Sequence, residues 1–214
     1  MSATPPALDW LLTAPEGRKP ELRQDRAVKT RALILKAAAE LFNEHGFKST
    51  SIKDVAERVG MTKGAVYFHF PSKETLAIEV VEAHYGRWPQ LLESILAEGL
   101  PPLDTVLKLM DAAALTFRDD VIVQAGARLQ LERSLIDASL PQPYVGWTDL
   151  ITRLLVDARE AGQLREGVEP DALGRVLVSG FFGVQHVSDV LNDRSDLLPR
   201  WQELRDLVFG AVRA

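Results

Sequence analysis

Residues 51–73, SIKDVAERVGMTKGAVYFHFPSK, carry three helix-capping side chains, Ser51, Thr62 and Ser72, in close succession. Such side chains accept hydrogen bonds from the free N–H groups of a helix's first turn, so each marks a helix start. Asp54, three residues after Ser51, completes a capping-box pattern, and Ile52, Val55, Ala56 and Val59 face inward at helical spacing. Gly60 supplies a turn. Thr62 then caps a second helix, from Lys63 to about Phe70, which Pro71 ends because the residue before a proline is biased away from helix. Ser72 caps the next. Two short helices joined by a tight turn constrain the fold more than anything else in the chain.

A longer helix precedes them, from about Arg23 to His45, with Ile34, Ala37, Ala38, Leu41 and Phe42 as its apolar stripe and Gly46 as its stop. The helix after Ser72 has the length to reach Ser94, but Pro89 lacks an N–H and clashes with the carbonyl of Tyr85, which predicts a kink or break over 85–89. Further helices are expected from about Leu103 to Phe117, Val121 to Ile136, Tyr144 to Ala161, Asp171 to Leu191 and Leu198 to Val212. Period-2 alternation is almost lacking, so the fold class is all-α. A Pro-containing tail is expected over 1–22, with Trp10, Leu11 and Leu12 tucked onto its own domain or offered to a partner.

Charge is distributed unevenly. The chain of 214 residues has a net charge of −5, yet residues 18–73 hold twelve Lys and Arg against six Asp and Glu. Residues 74–214 hold thirteen against twenty-two. A basic head on an acidic body is the footprint of a nucleic-acid binder. Cysteine is absent, which excludes disulfides and thiolate metal sites. The first seventeen residues lack the basic start of an export signal, and the apolar run 176–190 is interrupted by Ser179, Gln185, His186 and Asp189. A cytoplasmic protein with no membrane span is the expectation.

In a helix-turn-helix the second helix enters the DNA major groove, and the residues at its start meet the base edges. Here these are Thr62, Lys63, Gly64, Ala65 and Val66. Lys63 has the donors for guanine O6 or N7, Thr62 suits a phosphate or a base, and Gly64 lets the backbone approach. Ala65 or Val66 suits a thymine methyl. Tyr67 and His69 suit phosphates, with structural packing as the other use for each, and Lys73 lies at a helix start that also favours phosphate. Phe68 and Phe70 are expected in the core.

At these residues the chain resembles the TetR family of transcriptional repressors, whose recognition helix reads T/S-K-G-x-x-Y-x-H-F; MTKGAVYFHFPSKETLA matches it throughout. The resemblance covers about residues 23–213. It implies a homodimer on double-stranded, pseudo-palindromic operator DNA, with a helix-turn-helix domain over 23–71 and a ligand-binding and dimerisation domain over 72–214. TKGAVYFHFPSKE and PQPYVGWTDL are similar to one branch, the actinobacterial γ-butyrolactone-type autoregulator receptors and their furan-sensing relatives. That implies release by a lactone or furan-type signal and control of secondary metabolism such as antibiotic production. A family regulator of drug efflux and a DNA-binding structural protein without a ligand are the alternatives.

A small-molecule pocket needs apolar walls with a few convergent polar groups. Candidates are Tyr85 and Trp88 at the expected kink, Met110, Ala114 and Phe117 on the next helix, Gln130, and the pair Tyr144 and Trp147, three apart on one face. The resemblance implies a pocket role for Trp147 and extends to Tyr85, Gln130 and Tyr144; an ordinary aromatic core is the competing use. Arg128 is a candidate donor to a ligand carboxylate, or a surface residue. The last two helices present Leu173, Val176, Leu177, Phe181 and Val184, and Leu204, Leu207, Val208 and Ala211, as apolar stripes for a dimer interface or for packing within the chain. His186 and Asp189 form no arrangement suited to catalysis or metal binding, so neither an enzyme nor a cofactor is expected.

Overall fold

The structure, a computed structural model, describes residues 22–214, with side chains from Asp25 onward. The tail expected over 1–22, with Trp10, Leu11 and Leu12, lies outside the described residues apart from Leu22. The helices are α1 (Leu22–Ser49), α2 (Ile52–Arg58), α3 (Lys63–His69), α4 (Lys73–Tyr85), α5 (Trp88–Leu96), α6 (Pro102–Asp119), α7 (Val121–Leu131), α8 (Val145–Glu160), α9 (Pro170–Asn192) and α10 (Leu197–Val212). Among the described residues no strand forms, and one isolated bridge pairs Leu164 with Arg213. The all-α expectation holds.

Local signals set most boundaries. Gly46 leaves helical geometry within α1 at φ 77°, a left-handed conformation that glycine adopts without strain. α4 ends at Tyr85 with Gly86 as its cap, and α5 starts at Trp88, so Pro89 falls in a first turn where its missing N–H costs nothing. The expected break is therefore real. α7 stops at Leu131 instead of Ile136, because Arg133–Leu135 tighten into a 3-10 turn.

The described chain packs as two compact units. The first holds residues 22–88 and 120–141, and the second holds 89–119 and 142–214. The boundary read at residues 71 and 72 follows the motif, whereas packing groups α4 and α7 with α1–α3. Ile34, Phe42, Val55, Val66, Phe70, Leu76 and Leu129 are buried in the first unit's core. Each fully buried side chain of this kind stabilises by about 1.5–3 kcal/mol. α7 packs against both α1 and α4. At Gly126 the approach is so close that an added Cβ would lie 2.6 Å from Cγ of His84. Nδ1 of His84 lies 3.0 Å from the Val123 carbonyl, which fixes the tautomer that donates there. Burial pushes its pKa down to about 4, against a smaller opposing effect of that bond, so the ring is neutral.

In the second unit α9 packs on α8 and α10, and α6 packs on the same two helices. Gly180 allows α10 close, with Leu204 Cδ2 2.9 Å from where its Cβ would stand, whereas nothing approaches Gly183. The stripe expected along α9 divides between two faces. Of its residues Leu173, Leu177 and Phe181 are buried, Val184 is half-buried and Val176 is exposed; Val187, Val190 and Leu191, which the stripe did not include, are exposed as well, as is Leu207 of α10. Asp111 accepts from Trp201 Nε1 at 2.6 Å and pairs with Arg205 at 3.1 Å, which ties α6 to α10.

Candidate functional site

The helix-turn-helix is built from the caps that the sequence announces. Ser51 Oγ accepts from Asp54 N at 3.3 Å, and Ser51 N donates to Asp54 Oδ2 at 2.8 Å. The bonds from the Ser51 side chain and backbone hold the Asp54 carboxyl below its ordinary pKa. Gly60 turns the chain at φ 66°, and Met61 N bonds to the Ala56 carbonyl at 2.9 Å. Thr62 Oγ1 then accepts from Ala65 N at 3.2 Å and starts α3, and Ser72 Oγ accepts from Thr75 N at 3.0 Å and starts α4. Arg58 pairs with Glu44 at 2.9 Å, joining α2 to α1.

The outer face of α3 presents Thr62, Lys63, Gly64 and Tyr67, with Ala65 and His69 half-buried. Two expectations need correcting. Val66 is fully buried, because α3 docks through it and Phe70, so it cannot meet a thymine methyl; of that pair only Ala65 can. Phe68, expected in the core, is 84% exposed. Lys73 donates to the Phe47 carbonyl at 2.9 Å and lies 4.1 Å from the centre of the Phe47 ring, which leaves two of its three donors for other partners.

The C-terminal end of α1 is gripped by α7. Arg128 donates to the Asn43 carbonyl at 2.6 Å and to Glu132 Oε1 at 3.0 Å, and Glu132 Oε2 accepts from Phe47 N at 2.6 Å. Asn43 bonds to Gln124 at 3.2 Å. Gly46 makes room for this grip, since a Cβ there would lie 2.5 Å from Glu132 Oε1. Arg128 is thus committed to the end of α1, and its reading as a ligand donor or a free surface residue is corrected.

The five candidate effector residues fall into two groups. In the first unit Gln130, buried on α7, donates from Nε2 to Tyr85 Oη and to the Pro141 carbonyl, both at 3.1 Å. Because a carbonyl only accepts, the amide orientation is fixed and Oε1 stands buried with no hydrogen-bond partner. In the second unit Met110 and Trp147, both buried, line an apolar crevice of about 190 Å³ with Ala113, Val178, Phe181 and Phe182. It admits no water-sized sphere, so the side chains that line it are packed together. Tyr144 adopts a left-handed φ of 70° at the start of α8 and packs its ring on Phe182, with centroids 4.6 Å apart. Burial raises its phenol pKa above the ordinary value. Phe182 had no signal of its own in the sequence beyond adjacency to Phe181. Among the described residues no group of three or more His, Cys, Asp or Glu is arranged to hold a metal ion, and no helix is long and apolar enough to cross a membrane.

The family model for bacterial regulatory proteins of the tetR family matches residues 34–80, and that for a tetracyclin repressor-like C-terminal domain matches 101–212. The chain belongs to the TetR family. A solved structure, from work on the molecular basis for control of antibiotic production by bacterial hormones, is 62% identical with a TM-score of 0.80, covering 87% of this chain and 99% of that one. A γ-butyrolactone receptor described as ArpA-like is 27% identical with a TM-score of 0.76, covering 88% and 90%. The A-factor receptor protein of Streptomyces griseus is 31% identical over 82% of this chain. The match spans 60% of that relative's length.

Proposed function

We propose that this TetR-family chain is a ligand-released transcriptional repressor that binds a pseudo-palindromic operator as a homodimer in the cytoplasm. On this reading residues 23–71 bind DNA, and residues 72–214 sense the effector and dimerise. Thr62, Lys63, Gly64, Ala65, Tyr67, His69 and Lys73 face the operator, with Lys63 reading bases and Tyr67, His69 and Lys73 seated on phosphates. Two such heads fit half-sites roughly 34–36 Å apart. The exposed apolar face of α9 and α10, with Val176, Val187, Val190, Leu191 and Leu207, supports self-association. The effector acts by binding, with no chemical turnover.

The effector is a small signal of the γ-butyrolactone or furan class, and the A-factor receptor and the γ-butyrolactone receptor among the relatives support that class. Control of secondary metabolism such as antibiotic production follows from the same likeness. The candidate contacts are assigned within each unit separately: Met110, Tyr144 and Trp147 within the second, and Tyr85 with Gln130 within the first. One observation carries the coupling: α7 bears both Gln130, bonded to Tyr85, and the Arg128–Glu132 pair that grips α1. An effector that engages Gln130 acts on the helix that holds the head. It shifts the balance of states only by its differential affinity for them.

The test is release of a DNA duplex selected by the protein from a random pool, followed by gel shift against a panel of lactones and furan carboxylic acids. Release by one lactone or furan series is expected. Release by many unrelated hydrophobic drugs would replace this reading with that of an efflux regulator.

A further inference from the structure

We propose that Phe68 reads DNA sequence directly, packing its ring against the 5-methyl group of an operator thymine. The inference rests on the DNA-binding reading above. Phe68 is 84% exposed, more than any other large apolar side chain among the described residues. It lies about 200° around α3 from both Val66 and Phe70, at 3.6 residues per turn. Those two side chains are fully buried and anchor α3, so Phe68 projects away from the protein.

Its surroundings suit a groove. Phe68 follows Gly64 by one turn on the same face, and a Cβ at Gly64 would find only Thr62 Oγ1, 3.9 Å away, so the turn beside the ring is bare. On the other side the His69 ring meets Phe68 edge-on, with centroids 5.3 Å apart and planes at 86°, which restricts its rotamers. Lys63 and Tyr67 occupy the neighbouring stripe, and both are exposed. A phenyl ring has no atom that can bond a phosphate or a base edge. The thymine methyl is the apolar group that the major groove offers, and phenylalanine is among the side chains suited to it. Phe68 therefore adds a preference for thymine that the ammonium of Lys63 cannot supply.

The experiment uses the full chain and a duplex it selects from a random pool, with each thymine replaced singly by deoxyuridine, which removes only the methyl. At one position per half-site, uracil should weaken wild-type binding about fourfold, the factor for burying one methyl group. Phe68→Ala should weaken binding to the parent duplex about tenfold, within the range for losing one base contact. The same variant should lose nothing further at the uracil position, while Phe68→Leu keeps part of the uracil effect. Its melting temperature should match the wild type, and a marked fall would contradict the exposed placement. A wild type indifferent to every uracil, or a Phe68→Ala variant equally sensitive to it, overturns the inference and leaves the repressor reading standing. Failure of the wild type to enrich any duplex overturns both.

Discussion

The end of α1 and the crevice beside Trp147 are held together by opposite means. Around Asn43, Gly46 and Phe47 the contacts are directional: Arg128 and Glu132 supply charged hydrogen bonds to backbone groups, and glycine makes the room. Around Trp147 they are rings and thioether, with Phe181 on Phe182 at 5.4 Å and Tyr144 on Phe182 at 4.6 Å, and no charged group lines the crevice. Directional bonds fix one geometry, whereas apolar groups of similar volume exchange places at modest cost. On the proposed reading a repressor uses both properties, a head in fixed register and a sensing part that can open.

That contrast fails if the two regions respond alike to substitution. Gly126→Val, which forces a side chain into His84, should cost about 3 kcal/mol, the upper end for an overpacked site, in urea unfolding. Acid tests the same packing. Unfolded His84 takes up a proton near pH 6.5 and the folded ring only near 4, so the unfolded state binds more protons between those values and stability falls as pH drops through them. The loss at pH 5 should be about 2 kcal/mol, and absent from a His84→Gln variant once both are measured against pH 7. Glu132→Gln keeps the shape of the grip but removes its charge, and should cost about 1–2 kcal/mol in the same unfolding measurement. Phe182→Leu should cost the least, about 1 kcal/mol, because the crevice repacks. A Phe182→Leu loss as large as that of Gly126→Val would show the crevice to be as rigid as the packing of α7 on α4.

What the sequence revealed was local. Ser51, Thr62 and Ser72 act on groups three residues away, and Gly60 and Pro89 act on their own backbone, so the helix-turn-helix and the break before α5 were legible. α3 spans only seven residues, too few for periodicity to tell Phe68 from Phe70, and only docking through Val66 decides which is buried. Arg128 finds its partner at Asn43, 85 residues away, which no pattern within α7 announces. Tyr144 and Phe182 meet through a left-handed turn after Pro143 that the spacing of Tyr144 and Trp147 does not encode. Long-range pairings of this kind decide the candidate effector residues, which is why they were the less legible part.

Anisotropy of a labelled selected duplex, titrated with wild type and with Gln130→Leu in the presence and absence of an active lactone or furan acid, decides whether effector release runs through Gln130. Saturating effector should weaken wild-type binding by about 5- to 150-fold, the usual range for coupled sites. Gln130→Leu should bind the duplex as tightly as wild type and stay bound when effector is added. Equal release of both proteins would contradict the placement of the switch on α7, and an unchanged wild-type affinity at saturating effector would contradict ligand release itself.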